Sequence, residues 1–108
     1  MTAGMVAPRT PSLAAPGVRI GPVLEANEVG RAIIAAIREQ NGDIEVQDRG
    51  SYLRVLAAGR CVATRQAVER ILGRPFRLPS DLEMIMPSFQ GTFSVTEDEA
   101  AWASCAAP

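Results

Sequence analysis

Histidine and lysine are absent from the 108 residues, and cysteine occurs only twice. Losing histidine removes the commonest general base and the commonest metal ligand together. A Ser/His/Asp or Cys/His nucleophilic arrangement is thereby excluded, as are the usual zinc and haem ligand sets. Cys61 and Cys105 are far apart and form no C-x-x-C, too few for a disulfide framework, and Cys61 reads as a small buried hydrophobe. No Gly-x-Gly-x-x-Gly or phosphate-binding loop follows a candidate strand. No Glu-x-x-His spacing on long helices is present to build a diiron carboxylate site. The first twenty residues lack a charged segment followed by a continuous apolar run, and no apolar stretch approaches the roughly 18 residues of a transmembrane helix. The expectation is a soluble, cytoplasmic protein that is not a catalyst in its own right and does not engage a membrane.

What is present fits one small domain with a single core. Hydrophobic residues make up 47% of the chain and the formal net charge is −1. That balance argues against a disordered acidic chain and against a nucleic-acid binder's positive excess. All eleven basic residues are arginine, which with abundant Ala, Gly and Pro reads as the imprint of a GC-rich genome.

The chain is organised around residues 43–64. Ile44 to Asp48 alternate apolar and polar, the period-2 signature of a strand with one buried face. Arg49, Gly50 and Ser51 supply turn chemistry. A second strand over 52–57 carries Leu53, Val55 and Ala57 on one face and Tyr52, Arg54 and Leu56 on the other. After a turn at Gly59 and Arg60, Cys61, Val62 and Ala63 are expected to form a short third strand of the same sheet. Residues 1–17, with Pro8, Pro11 and Pro16, read as a disordered N-terminal tail, and 18–104 as the folded domain. A first strand is expected over 18–24; Pro22 lacks the N–H of a central strand, so this strand should lie at an edge or begin after the proline.

Asn27 caps the clearest helix, over 27–41, whose Val29, Ala32, Ile33, Ala36 and Ile37 make one apolar stripe. Gly42 is expected to close it in a left-handed conformation. Thr64 caps a second helix with Ala67, Val68, Ile71 and Leu72 inward, ended by Gly73 and kept from continuing by Pro75. Ser80-Asp81-Leu82-Glu83 matches a capping box for a short helix, the preferred reading, while Leu82, Met84 and Met86 also alternate like a strand. Residues 89–95 read as a strand with a bulge or close backbone approach at Gly91; Glu97, Asp98 and Glu99 read as a solvated turn, and 100–103 as a last strand with Trp102 inward. The fold class is therefore α+β, with βαββ-like units and two main helices on antiparallel sheet.

Without catalytic groups, surface carries the functional signal. Arg49, Tyr52 and Arg54 gather near one hairpin end, and Arg74, Phe76 and Arg77 follow the second helix. Arginine and aromatic residues anchor protein interfaces through bidentate pairing and large rigid contact area. Met84, Met86 and Phe89 add adaptable apolar surface. The plain structural alternative is that Tyr52 and Phe76 cap the core while the arginines are solvated.

Glu45-Val46-Gln47-Asp48-Arg49, Tyr52-Leu53-Arg54, Thr64-Arg65, Leu72-Gly73-Arg74-Pro75-Phe76 and Ser88-Phe89-Gln90-Gly91, in this order, resemble the effector proteins of bacterial soluble diiron monooxygenases, the MmoB/DmpM family. Their spacing resembles the effectors of four-component toluene and alkene monooxygenases, over about 20–102. The resemblance implies a compact α/β fold with no cofactor that binds a diiron hydroxylase near the helices over its metal centre. It also implies a ferredoxin and a reductase in the same system, and coupling of O₂ activation, substrate entry and electron delivery. Arg49, Tyr52, Arg54, Arg74, Phe76, Ser88 and Phe89 are the residues expected to face the hydroxylase or shape that face. Two readings from other classes stand beside it. One is a small-molecule-sensing βαββ regulatory domain with a pocket between helix and sheet. The other is a small enzyme using Cys61 as nucleophile, which requires a thiolate-stabilising environment.

Overall fold

Residues 19–104 are described in the computed structural model; the tail expected over 1–17 and Cys105 lie outside the described residues. The elements follow as β1 (Arg19–Glu25), α1 (Glu28–Gln40), β2 (Ile44–Asp48), β3 (Tyr52–Ala58), β4 (Arg60–Thr64), α2 (Arg65–Leu72), α3 (Ser80–Glu83), β5 (Ser88–Gln90), β6 (Thr92–Val95) and β7 (Glu99–Ala103). They form two antiparallel sheets, ordered β2-β3-β1-β5 and β4-β7-β6, with the helices packed against them.

The hydrophobic patterns place the core as expected. Ile20, Leu24, Leu53, Val55 and Ala57 of the first sheet share one buried cluster with Ile33, Ala36 and Ile37 of α1. Trp102, fully buried, joins Cys61, Val68 and Leu82 in the same cluster from the second sheet and the later helices. Burying each large aliphatic side chain contributes about 1.5–3 kcal/mol, enough for the α1 stripe to hold that helix against both sheets. Asn27 caps α1 by accepting from the Gly30 N–H at 2.8 Å, and Thr64 caps α2 by accepting from the Ala67 N–H at 3.3 Å.

Five local expectations are corrected. Pro22 lies inside β1, and β1 is an interior strand, flanked by β3 and β5. The strand tolerates proline because its register against β3 is interrupted there: Arg19 and Ile20 face Ala58 and Ala57, and pairing resumes at Val23 with Arg54. The ladder to β3 is open opposite Pro22, while toward β5 Pro22 stays in register with Phe89. Second, Gly42 is not left-handed. Asn41 closes α1 from an extended conformation, its Nδ2 donating to the Ile37 carbonyl at 2.7 Å and to the Val62 carbonyl at 2.9 Å. Its Oδ1 accepts from the Val62 N–H at 3.1 Å, so one amide both caps the helix and fastens it to β4.

Third, Cys61 to Ala63 do not extend the central sheet: the chain turns at Gly59, and β4 becomes the edge of the second sheet. Fourth, α3 forms without the Ser80 capping box. Pro79 occupies the cap position with no side-chain cap bond, and the Asp81 carboxylate instead accepts from the Arg77 N–H at 2.8 Å. Fifth, residues 89–95 are two strands in different sheets, separated by Gly91 at φ 98°. A Cβ at Gly91 would lie 2.4 Å from the Ala103 carbonyl oxygen and 2.8 Å from Ile20 Cγ2, so the close approach read from the sequence is real. Only glycine lets the chain pass from one sheet to the other here.

The acidic turn is held from beneath. Arg65 donates through Nε to the Glu97 carbonyl at 3.0 Å, and its backbone N–H donates to the Asp98 carbonyl at 2.8 Å.

Candidate functional site

Side chains alternate across a strand, so the residues of β1, β3 and β5 that lie between the buried ones project to the other side of the first sheet. On that side Gly21, Val23, Tyr52, Arg54, Ser88 and Gln90, with Pro87 and Phe89, line an open groove of about 490 Å³. The strand order creates it. Arg54 on β3 and Gln90 on β5 are flanking neighbours of β1, where they face Val23 and Gly21. The guanidinium reaches over the central strand, and its Nη2 donates to Gln90 Oε1 at 2.8 Å. Gly21 cannot be enlarged: at φ 148°, a Cβ would lie 2.3 Å from the Val55 carbonyl oxygen.

Tyr52, at 41% exposure, is the exposed aromatic on that side; Phe89, at 44% exposure, pairs with Pro22 and so turns to the core-facing side at the groove's edge. Phe89 leans on Phe93 with ring centroids 5.3 Å apart, and Phe93 on buried Trp102 at 5.4 Å, so the rim is continuous with the core. A second recess of about 410 Å³ shares Tyr52 and Pro87 and extends to Glu25, Asn27 and Ser51. Beside the groove on β2, Gln47 Nε2 donates to Glu45 at 3.2 Å, and Glu45 pairs with Arg19 at 3.8 Å. Exposed pairs of this kind contribute about 0–1 kcal/mol each, so they set charge positions more than stability.

The structure brings four of the seven sequence-predicted residues together: Tyr52, Arg54, Ser88 and Phe89 line the same groove. Arg49 sits outside it, in the β2–β3 turn, with its N–H donating to the Tyr52 carbonyl at 2.9 Å and its guanidinium to Gln47 Oε1 at 3.0 Å. Arg74 lines a different recess, of about 210 Å³, with Val29, Leu72 and exposed Met84, and pairs with Glu28 at 3.2 Å. Phe76 is 3% exposed and belongs to the core, its N–H donating to Glu69 Oε2 at 3.0 Å. Glu69 also accepts from Arg65, and its carboxyl is held below the usual range, first by the Phe76 N–H and then by Arg65, against opposing desolvation. Sequence reasoning missed Gly21, Val23, Pro87 and Gln90 as groove residues. Gln90 lies inside the Ser88-Phe89-Gln90-Gly91 fragment, but its relation to Arg54 depends on a strand lying between them.

The two other readings meet specific geometry. Burial pushes the Cys61 thiol up to about 11, outweighing the opposing pull of Arg60. A buried protonated thiol has none of the thiolate stabilisation a nucleophile needs. Between the helices and the second sheet, Ile33, Val68, Phe76, Leu82 and Trp102 border a void of about 10 Å³. Ligand pockets typically measure about 300–1,000 Å³. Among the described residues no group of three or more His, Cys, Asp or Glu is arranged to hold a metal ion, and no helix is long and apolar enough to cross a membrane.

A profile of the MmoB/DmpM family matches residues 18–103, nearly the whole folded chain. The chain belongs to the MmoB/DmpM family. It is 35% identical over 85 residues to the effector subunit of the alkene monooxygenase system of Xanthobacter autotrophicus (strain ATCC BAA-1158 / Py2), covering 77% of this chain and 83% of the relative. It also resembles a chain in a solved structure of a phenol hydroxylase–regulatory protein complex, with TM-score 0.69 and 25% identity over 79% of this chain and 95% of that one. A second structure of such a complex shares the fold, with TM-score 0.68 and 24% identity over 80% of this chain and 99% of that one. The family resemblance carried by the five sequence fragments is thus correct.

Proposed function

We propose that this protein is the non-enzymatic effector subunit of a multicomponent monooxygenase that oxidises an alkene or aromatic hydrocarbon. It docks on the diiron hydroxylase through the uncovered side of its first sheet, in the cytoplasm, and no cofactor of its own is involved. The observation that carries this reading is the groove in which Tyr52, Arg54, Ser88 and Phe89 converge, in a chain 35% identical to an alkene monooxygenase effector subunit. The groove pairs half-exposed aromatics with an arginine, the composition of interface anchors.

Such a subunit acts by shape. It shifts the hydroxylase toward the conformation it binds more tightly, and only by the difference in its affinities for the two states. Moving that equilibrium from 1:99 to 99:1 requires about a 10⁴-fold preference. The effect is to couple O₂ activation and electron delivery to substrate oxidation. A ferredoxin and a reductase supply the electrons.

The test is reconstitution from purified hydroxylase, ferredoxin and reductase. Product formation should rise several-fold on adding this protein up to one equivalent per hydroxylase active site and then level off. Unchanged turnover rejects the reading. The sensing alternative predicts a tight small ligand for the isolated protein, yet the void of about 10 Å³ between helices and sheet leaves no room for one there.

A further inference from the structure

Of the arginines in the described residues, Arg19, Arg65, Arg70 and Arg74 each pair with a carboxylate of this chain. Arg54 does not: it lies at the groove, half-buried, and its hydrogen bond goes to the neutral amide of Gln90. A guanidinium carries five N–H donors in a rigid fork, and this bond uses one of them. The Gln90 bond fixes the fork's orientation without neutralising it. Tyr52, two residues along the same strand face, excludes water from one side once a partner closes over the groove. An unmatched, pre-oriented guanidinium beside aromatic surface is a half-built ion pair.

We propose that Arg54 receives a side-chain carboxylate, Asp or Glu, presented by the hydroxylase surface, and that Gln90 is its positioning residue. The inference rests on the effector reading above and adds the chemistry of the partner's contact. The groove is open along one sheet face, so a small free anion there would keep most of its hydration, whereas a carboxylate on a protein surface arrives with its own water-excluding surroundings. Pairing under those conditions gains from both charge and bidentate geometry.

The experiment titrates full-length protein into purified hydroxylase at several NaCl concentrations, following binding by anisotropy and turnover in the reconstituted system. Arg54→Ala should weaken binding by at least about tenfold at low salt and flatten its salt dependence. Arg54→Lys should recover only part of the loss, because an ammonium cannot form the planar fork. Gln90→Ala should weaken binding less and leave the salt dependence intact. Arg54→Glu should bind poorly to wild-type hydroxylase and regain affinity with the one surface Asp→Lys or Glu→Lys hydroxylase variant that reverses the pair. Arg38→Ala, an exposed arginine of α1 outside the groove, serves as the charge-matched control. Thermal melts of each variant separate lost contact from lost fold, and Arg54→Gln keeps the stem and a polar head should Arg54→Ala melt early. If Arg54→Gln and Arg54→Lys both bind with wild-type affinity and salt slope, the proposal is overturned. If wild-type protein neither binds nor stimulates, the effector reading itself fails first. Competition of binding by millimolar acetate would instead mark Arg54 as a free-anion site and also overturn it.

Discussion

Glu69 shows how much a single carboxylate can organise. It accepts from the Phe76 N–H seven residues along the chain and from Arg65 one turn back, tying the α2–α3 connection to the start of α2. Arg65 in turn holds the β6–β7 turn, so Glu69 is linked to the second sheet through one guanidinium. Glu69→Gln keeps an acceptor for Phe76 but loses the charge, while Glu69→Ala loses both. Melting temperatures at pH 7 should therefore fall in the order wild type, Gln, Ala. Because the Glu69 carboxyl is depressed below its ordinary 4.5 in the folded state, its stabilising contribution is complete above that value and is lost as pH falls through the folded one. Melts repeated near pH 3 should find wild type and Glu69→Gln closer together than at pH 7.

Among the elements, the passage from β5 to β6 bears the tightest constraint. Gly91→Ala combines a left-handed backbone with a Cβ 2.4 Å from the Ala103 carbonyl oxygen, so the two sheets must separate locally or the strand must shift. A loss of about 2–4 kcal/mol is expected from strain and overpacking together, read as a lower urea midpoint at unchanged slope. The sequence marked this glycine as a close approach because it interrupts a run of aromatic and β-branched residues. It did not mark the change of sheet, since period-2 alternation is the same on either side of Gly91. The helices were legible for the converse reason: a 3.6-residue stripe and a side-chain cap are local, and Asn27, Thr64 and Gly73 all act where the pattern put them. Pro22 misled because the rule against proline in central strands assumes an unbroken ladder, and the gap opposite Gly21 and Pro22 is a property of the pairing. The groove was legible in part. Tyr52 and Arg54 are near neighbours on one strand face, but Gln90 joins them only through the order β3-β1-β5.

For the molecule as a whole, the two sides of the first sheet have different fates. One contributes Ile20, Leu24, Leu53, Val55 and Ala57 to the buried cluster; the other presents the groove. The ring series Phe89, Phe93 and Trp102 runs from the groove rim into the core, so a partner pressing on Phe89 meets a braced surface. Bracing lowers the ordering cost of association, which favours a docking face that changes little on binding.

That bare second side also has a calorimetric consequence. Tyr52 and Val23 carry hydration that docking must strip away, and releasing water from apolar surface lowers the heat capacity of the complex below that of its parts. Titration calorimetry between about 10 and 30 °C should accordingly give binding enthalpies that grow more exothermic on warming. A flat temperature course would mean that the hydroxylase grips some other side of the protein.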